Sequence, residues 1–153
     1  MPFRKLWPRL RAYWRQAVAF FWPRAARSPS SNLPRVFIVV EGQNDIEFLR
    51  RISALLHAAD PRVPDLSAME RRREIVFVPA GGGDARSWAW RLAGLGPAEY
   101  HLFDRDVPPA TEARREAAEI VNRRPRCRAE LTSHRSLENY LDATAIFEAS
   151  GLC

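Results

Sequence analysis

The feature that most constrains this chain is Arg35-Val-Phe-Ile-Val-Val40, a β-branched apolar run without polar alternation. A strand of that composition has no solvent face and needs cover on both sides, as in a parallel sheet with helices above and below. Two more short runs repeat the theme, Glu74-Ile-Val-Phe-Val78 and Tyr100-His-Leu-Phe103, and Arg128-Ala-Glu-Leu-Thr132 supplies a fourth candidate strand. Helical patterns separate them. After a turn at residues 41–45, a helix is expected to about Ala59, with Leu49, Ile52, Leu56 and Ala59 as its apolar stripe. Asp60-Pro61 ends it, because the residue before proline resists the helical region. The loop Pro79-Ala-Gly-Gly-Gly83 leads to Asp84, which can cap a helix reaching about Leu95. A further helix spans about residues 112–123, with Ala113, Ala117 and Ile120 inward. Ser136-Leu-Glu-Asn-Tyr-Leu141 opens helical structure expected to continue through Ala149. Strands alternating with helices predict an α/β fold, a mostly parallel sheet of about four strands flanked by helices.

The 153 residues fit one domain plus an extension and can bury a core without covalent staples. The net charge of +6 is unevenly placed. Residues 1–34 hold Arg4, Lys5, Arg9, Arg11, Arg15, Arg24 and Arg27 and no acid, so residues 35–153 are close to neutral. The high pI therefore describes a basic, aromatic-rich arm, which suits a polyanion such as nucleic acid or an anionic membrane surface. Between Pro8 and Pro23 a helix would put Leu10, Trp14, Ala17 and Phe21 on one face, and an unstructured tail fits equally well. Arg27-Ser-Pro-Ser-Ser-Asn-Leu-Pro34 reads as a linker to a domain at residues 35–153. The arm's longest apolar run, residues 17–23, is too short to span a bilayer and is flanked by arginines, unlike a signal peptide. Cys127 and Cys153 form no Cys-x-x-Cys pair, which argues against a disulfide framework or a zinc site and fits a reducing cytoplasm. The chain ends soon after a helix-like segment, as a truncated copy of something longer would.

Function is carried by where the acids fall. In open α/β sheets, ligands collect beyond the carboxyl ends of the strands. Glu41 follows the first expected strand, and Asp104 and Asp106 follow the third. Two positions apart on an extended chain, Asp104 and Asp106 would point the same way and Arg105 elsewhere. Three such carboxylates repel one another unless a cation joins them, and oxygen ligands select hard ions such as Mg²⁺ or Mn²⁺. Glu138 is a candidate fourth carboxylate, and Asp45 lies close enough to support the cluster. Asp45 also suits the first turn of a helix whatever its function, and Asn44 with Glu47 reads as a capping pair.

At these residues the chain resembles a known family. Val39-Val40-Glu41-Gly42-Gln43-Asn44-Asp45 followed by Phe48-Leu49 looks like the opening motif of TOPRIM domains, the catalytic domains of topoisomerases, bacterial-type primases and OLD-family (overcoming lysogenisation defect) nucleases. Phe103-Asp104-Arg105-Asp106 matches that family's Asp-x-Asp motif, and Arg135-Ser136-Leu137-Glu138-Asn139-Tyr140 looks like the late Glu-Asn-Tyr segment of the OLD-type branch. The Gly81-Gly82-Gly83-Asp84 loop is similar to the glycine-rich connection of that branch. The resemblance covers about residues 35–145 and implies a compact Rossmann-like sheet. It implies Glu41, Asp104, Asp106 and Glu138 as catalytic and metal-binding residues, with Asp45 beside them and two Mg²⁺ or Mn²⁺ ions. The resemblance also implies a positive residue near the phosphate, where the branch carries a lysine; His134, Arg135 and Arg105 are the candidates here. OLD-family nucleases usually carry an ATPase domain, yet the chain has no phosphate-binding G-x-x-x-x-G-K-[ST] loop. The expected partners are thus nucleic acid, DNA ahead of RNA, with a separate ATPase or a second copy of the chain also admitted.

The leading expectation is a metal-dependent nuclease, and the alternative is a non-catalytic TOPRIM module that binds nucleic acid or a partner ATPase. A phosphohydrolase of the haloacid-dehalogenase kind would place its Asp-x-Asp after the first strand, where this chain has Glu41-Gly42. A dinucleotide-binding domain would need G-x-G-x-x-G at the first turn, which is missing.

Overall fold

The computed structural model describes residues 33–140, apart from the side chain of Glu138. The basic arm at residues 1–32 and the expected helical continuation at residues 141–149 lie outside the described residues. The elements run β1 (Val36–Val40), α1 (Gln43–Ala59), α2 (Leu66–Arg71), β2 (Ile75–Pro79), α3 (Ala85–Arg91), β3 (Ala98–Phe103), α4 (Ala110–Asn122) and β4 (Cys127–Leu131), followed by a 3-10 turn at Leu137–Tyr140. The four strands form one sheet in the order β2-β1-β3-β4, and every neighbouring pair is parallel. Val36 is level with Ile75 on one side and with Ala98 on the other, and Phe103 is level with Leu131. This is a Rossmann-like α/β architecture, and the non-alternating apolar runs are its strands.

The two faces of the sheet bury different layers. On one, Val36, Ile38, Val40, Ala98, Tyr100 and Leu102 pack with Ile46, Leu49, Ile52 and Leu56 of α1 and with Leu66 of α2. On the other, Phe103 and Ala129 pack with Ala89 of α3 and with Ala117, Ala118 and Val121 of α4. The strand period of two thus directs Glu99, His101 and Phe103 toward α3 and α4. Each buried aliphatic side chain contributes about 1.5–3 kcal/mol relative to exposure, enough in sum to hold these thin layers on the sheet.

Several local details differ from the sequence expectation. Helix α2 was not anticipated, because its six residues span fewer than two turns and give no usable periodicity. It is held from outside: Asp65 caps it by accepting from the Ala68 N–H at 3.0 Å, Ser53 Oγ accepts from the Leu66 N–H at 3.1 Å, and Arg50 forks onto Glu70 at 2.7 and 2.8 Å. Ala59 is exposed, and the buried stripe of α1 runs through Ile46, Leu49, Ile52, Ser53 and Leu56. Helix α3 stops at Arg91 rather than near Leu95, because Gly94 and Gly96 adopt positive φ there. Strand β3 begins at Ala98, two residues before the expected start, and all six of its residues are buried. In α4, Ala113 and Ile120 are half-buried, whereas Ala117, Ala118 and Val121 form the buried stripe.

Candidate functional site

The strand order fixes where a ligand would sit. From β1 the chain passes to β2 on one side, while β3 lies on the other, so the crevice between β1 and β3 is the topological switch point. Glu41 follows β1 and Asp104 follows β3, which places both acids at the carboxyl edge of adjacent strands. The loop after β2 flanks them. Ala80 N–H donates to the Val40 carbonyl at 2.8 Å and Gly81 N–H to the Glu41 carbonyl at 3.0 Å. Gly81, Gly82 and Gly83 then take φ of 72°, 77° and 92°, and a Cβ built on any of them meets nothing within 4 Å. The backbone beside Glu41 is therefore open to a bulky group.

Between the acids lies a residue that periodicity alone did not single out. Arg114, near the start of α4, donates from Nη1 to Glu41 Oε1 and, at 3.3 Å, to the Asp104 carbonyl; its Nη2 lies 3.5 Å from Asp106 Oδ2. One guanidinium thus neutralises carboxylates from two strand ends. The Glu41 and Asp106 side chains are 34% and 33% exposed, and that of Arg114 is 18% exposed, so the set is open to solvent on one side. The signal for Arg114 was present in the sequence: it follows Ala110 by four positions and precedes Ala117 and Val121 on a stripe that is otherwise apolar.

Asp104 and Asp106 do not point the same way along an extended chain. Strand β3 ends at Phe103, and Asp106 takes φ of 53°, a left-handed turn that carries its carboxylate to Arg114. Its N–H donates to the Arg135 carbonyl at 3.0 Å, and Arg135 Nε lies 3.7 Å from its Oδ1. Arg135, expected near a phosphate, is paired with the acid while its side chain stays 69% exposed. Arg105 turns toward the end of β4, where its N–H donates to Thr132 Oγ1 at 2.8 Å and its Nη1 to the Ser133 carbonyl at 3.4 Å.

The late segment is drawn in beside them. Thr132, 1% exposed, donates its hydroxyl to the His134 carbonyl at 2.7 Å and its N–H to the Phe103 carbonyl at 2.9 Å. The Tyr140 hydroxyl accepts from the Ser133 N–H at 2.7 Å, and the His134 ring stands edge-on to the Tyr140 ring, 4.7 Å between centroids. Asn139 Oδ1 accepts from the Ser136 N–H at 3.1 Å and its hydroxyl at 2.8 Å. Asn139 and Tyr140 tie the segment that follows β4 onto itself through Ser136 and Ser133, and the Glu138 side chain lies outside the described residues.

Asp45 is placed as a cap. It is 8% exposed, and its Oδ2 accepts from the Gly42 N–H at 2.8 Å, closing the first turn of α1. The expected Asn44–Glu47 capping pair is replaced by Gly42 and Asp45, and Glu47 instead pairs with Arg51 at 2.6 Å along the helix.

Among the described residues, no three His, Cys, Asp or Glu side chains are arranged to hold a metal ion. The donors at the crevice are all carboxylates, the right kind for Mg²⁺ or Mn²⁺. Arg114 lies between Glu41 and Asp106 and pairs with both, so these two carboxylates already have a positive partner.

A second arginine–carboxylate set lies deeper. Glu99 and His101, 2% and 0% exposed, sit on the α4 face of β3. Arg124, just past α4, forks onto both Glu99 oxygens, donates to the Ala89 carbonyl and lies 5.4 Å from the Trp90 ring centroid. Burial would push the Glu99 carboxyl up; hydrogen bonds from His101 and Arg124, together with their charge, outweigh it and hold the carboxyl below its ordinary value. An ionised Glu99 only accepts, so the proton of its 2.8 Å bond belongs to His101 Nε2. His101 Nδ1 is buried without a hydrogen-bond partner among the described residues.

None of the helices among the described residues is long and apolar enough to cross a membrane. Comparison with protein-family models, curated proteins and solved structures gives no match, so the functional reading rests on the crevice itself.

Proposed function

We propose that the chain is a TOPRIM-type domain of the OLD-like branch that hydrolyses phosphodiester bonds in nucleic acid, DNA rather than RNA, in the cytoplasm. The observation that carries this reading is the meeting of Glu41 with the Asp104-Arg105-Asp106 turn at the β1–β3 switch point, the position where open α/β sheets bind ligands. Glu41, Asp104 and Asp106 are the residues that would hold Mg²⁺ or Mn²⁺, with Asp45 steadying the turn that carries Glu41 and Glu138 as the fourth carboxylate. Two such ions, when bound, supply an activated water and charge stabilisation at the leaving oxygen. The chain's own part is to fix the carboxylates on rigid strand ends and to bring cations to the phosphate. Arg135 and Arg105 flank the Asp106 turn for that purpose, His134 stands behind them, and the basic arm adds a sequence-independent hold on the polyanion. A separate ATPase subunit or a second copy would complete the assembly.

Arg114 favours a second reading. A guanidinium that already neutralises Glu41 and Asp106 suits a module that binds nucleic acid or a partner ATPase without turnover. Nicking of supercoiled plasmid with Mg²⁺ or Mn²⁺ separates the two. The nuclease reading expects metal-dependent nicking that drops by roughly 100-fold or more in Asp104→Ala, the scale of losing a transition-state electrostatic group. Equal nicking by both proteins would remove the support for this site, and no nicking by either folded protein would leave the binding module.

A further inference from the structure

We propose that the surface around Trp90 binds single-stranded nucleic acid, with an unpaired base stacked on the Trp90 ring and phosphates held by Arg91 and Arg126. The inference rests on the nucleic-acid partner named above and not on a metal or on cleavage. Trp90 lies in the last turn of α3 and is 59% exposed. Leu95, 51% exposed, follows it through two tight turns, closed by Ala93 N–H to the Trp90 carbonyl at 3.0 Å and Leu95 N–H to the Leu92 carbonyl at 3.2 Å, so the ring is not an isolated apolar spot. The ring is held from behind. The Arg124 guanidinium lies 5.4 Å from its centroid, and Arg124 is itself fixed by both Glu99 oxygens and the Ala89 carbonyl. One side of the ring thus meets a fixed cation while most of the residue faces water. That is the arrangement of a stacking platform, which takes any base because every base has a π-face. The surroundings are basic. The turn from α4 into β4 reads Arg123-Arg124-Pro125-Arg126-Cys127-Arg128. Glu119, Glu99 and Glu130 pair with Arg123, Arg124 and Arg128 in turn. Arg126 and Arg91 are left over: both are exposed, and neither pairs with a carboxylate among the described residues. Arg126 is tied to the same edge by donating to the Gly96 carbonyl at 3.1 Å, and Arg91 lies 4.3 Å from the Trp88 ring centroid. Uncompensated guanidiniums beside an exposed ring attract a polyanion and would repel the basic arm, and an unpaired strand is the occupant whose chemistry fits both the charge and the ring. The patch sits at the amino ends of β3 and β4, a strand length of about 17–20 Å from the crevice at their carboxyl ends.

Fluorescence anisotropy of a labelled oligothymidylate, with the full chain in chelator so that nothing is cut, tests this. Trp90→Ala is expected to bind about tenfold more weakly, the scale of one lost base–aromatic stack. Trp90→Tyr keeps an aromatic face and stays within about threefold of wild type, whereas Trp90→Leu keeps only apolar bulk and behaves as Trp90→Ala. A thymidylate–adenylate duplex of the same length, whose bases are already stacked, binds Trp90→Ala as it binds wild type. Arg91→Gln and Arg126→Gln each weaken single-strand binding and flatten its log–log salt dependence by about 0.7, the contribution of one phosphate contact to a single strand. Should Trp90→Ala fail to fold, Trp90→Tyr against Trp90→Leu carries the same comparison. Equal single-strand binding by wild type, Trp90→Ala and Trp90→Leu overturns the platform and leaves the exposed ring to a protein partner. An equal loss on duplex and single strand overturns the assignment to unpaired bases. Absence of binding to either by wild type overturns the surface together with the nucleic-acid partner.

Discussion

Two of the arginine–carboxylate sets around the sheet differ in almost every respect except their chemistry. Near the amino end of β3, Glu99 is fully enclosed, gripped by both arms of Arg124 and by His101. Beyond the carboxyl ends of β1 and β3, Glu41 and Asp106 share Arg114 while a third of each acid faces water. Desolvation makes the buried set all-or-none: removing one partner strands a charge in a low-dielectric interior. The open set is only partly desolvated, so removing one partner leaves a charge that water can reach, at a smaller cost. The same residue types are therefore locked in one place and open to solvent in the other, and burial decides which.

Arg124→Ala is the change with the largest expected effect on the fold. It leaves the Glu99 carboxylate buried with His101 alone and frees the Ala89 carbonyl, so urea unfolding is expected to show a loss of about 3–5 kcal/mol. A loss below about 1 kcal/mol, the range of surface pairs, would erase the contrast between the two sets. Acid titration sharpens it. Glu99 in the folded chain loses its proton more readily than in the unfolded chain, so its contribution to stability is fully present above the unfolded value of about 4.3 and fades as pH falls through the folded value. Thermal melts below pH 5 are expected to fall less steeply in Glu99→Gln than in wild type. A parallel fall in both proteins would mean that other acids dominate acid unfolding.

Much of the sheet is legible in the sequence. Three apolar runs, the first and third followed by acids, point to a parallel sheet with Glu41 and Asp104 at one edge, and that is where they lie. The pairing of Glu41 with Arg114 was not legible, since the two are 73 positions apart and hydrophobic period reports only which face a residue occupies. Nor was the turn at Asp106, because a left-handed non-glycine residue is set by its surroundings, here the Arg135 carbonyl and Arg114. Glu99 and His101 were passed over for a related reason. A glutamate just before an apolar run and a histidine inside it carry no signal of their pairing until their distant partner, Arg124, is known.

The central claim is that a carboxylate at the strand ends works while a carboxylate within the sheet holds. Glu41→Gln and Glu99→Gln each neutralise one glutamate of this sheet, and plasmid nicking with Mn²⁺ alongside thermal melting compares them directly. The account predicts that Glu41→Gln melts within a few degrees of wild type and loses nicking, whereas Glu99→Gln melts well below wild type yet nicks at temperatures where it stays folded. Full nicking by Glu41→Gln, or an unchanged melting temperature in Glu99→Gln, would contradict it.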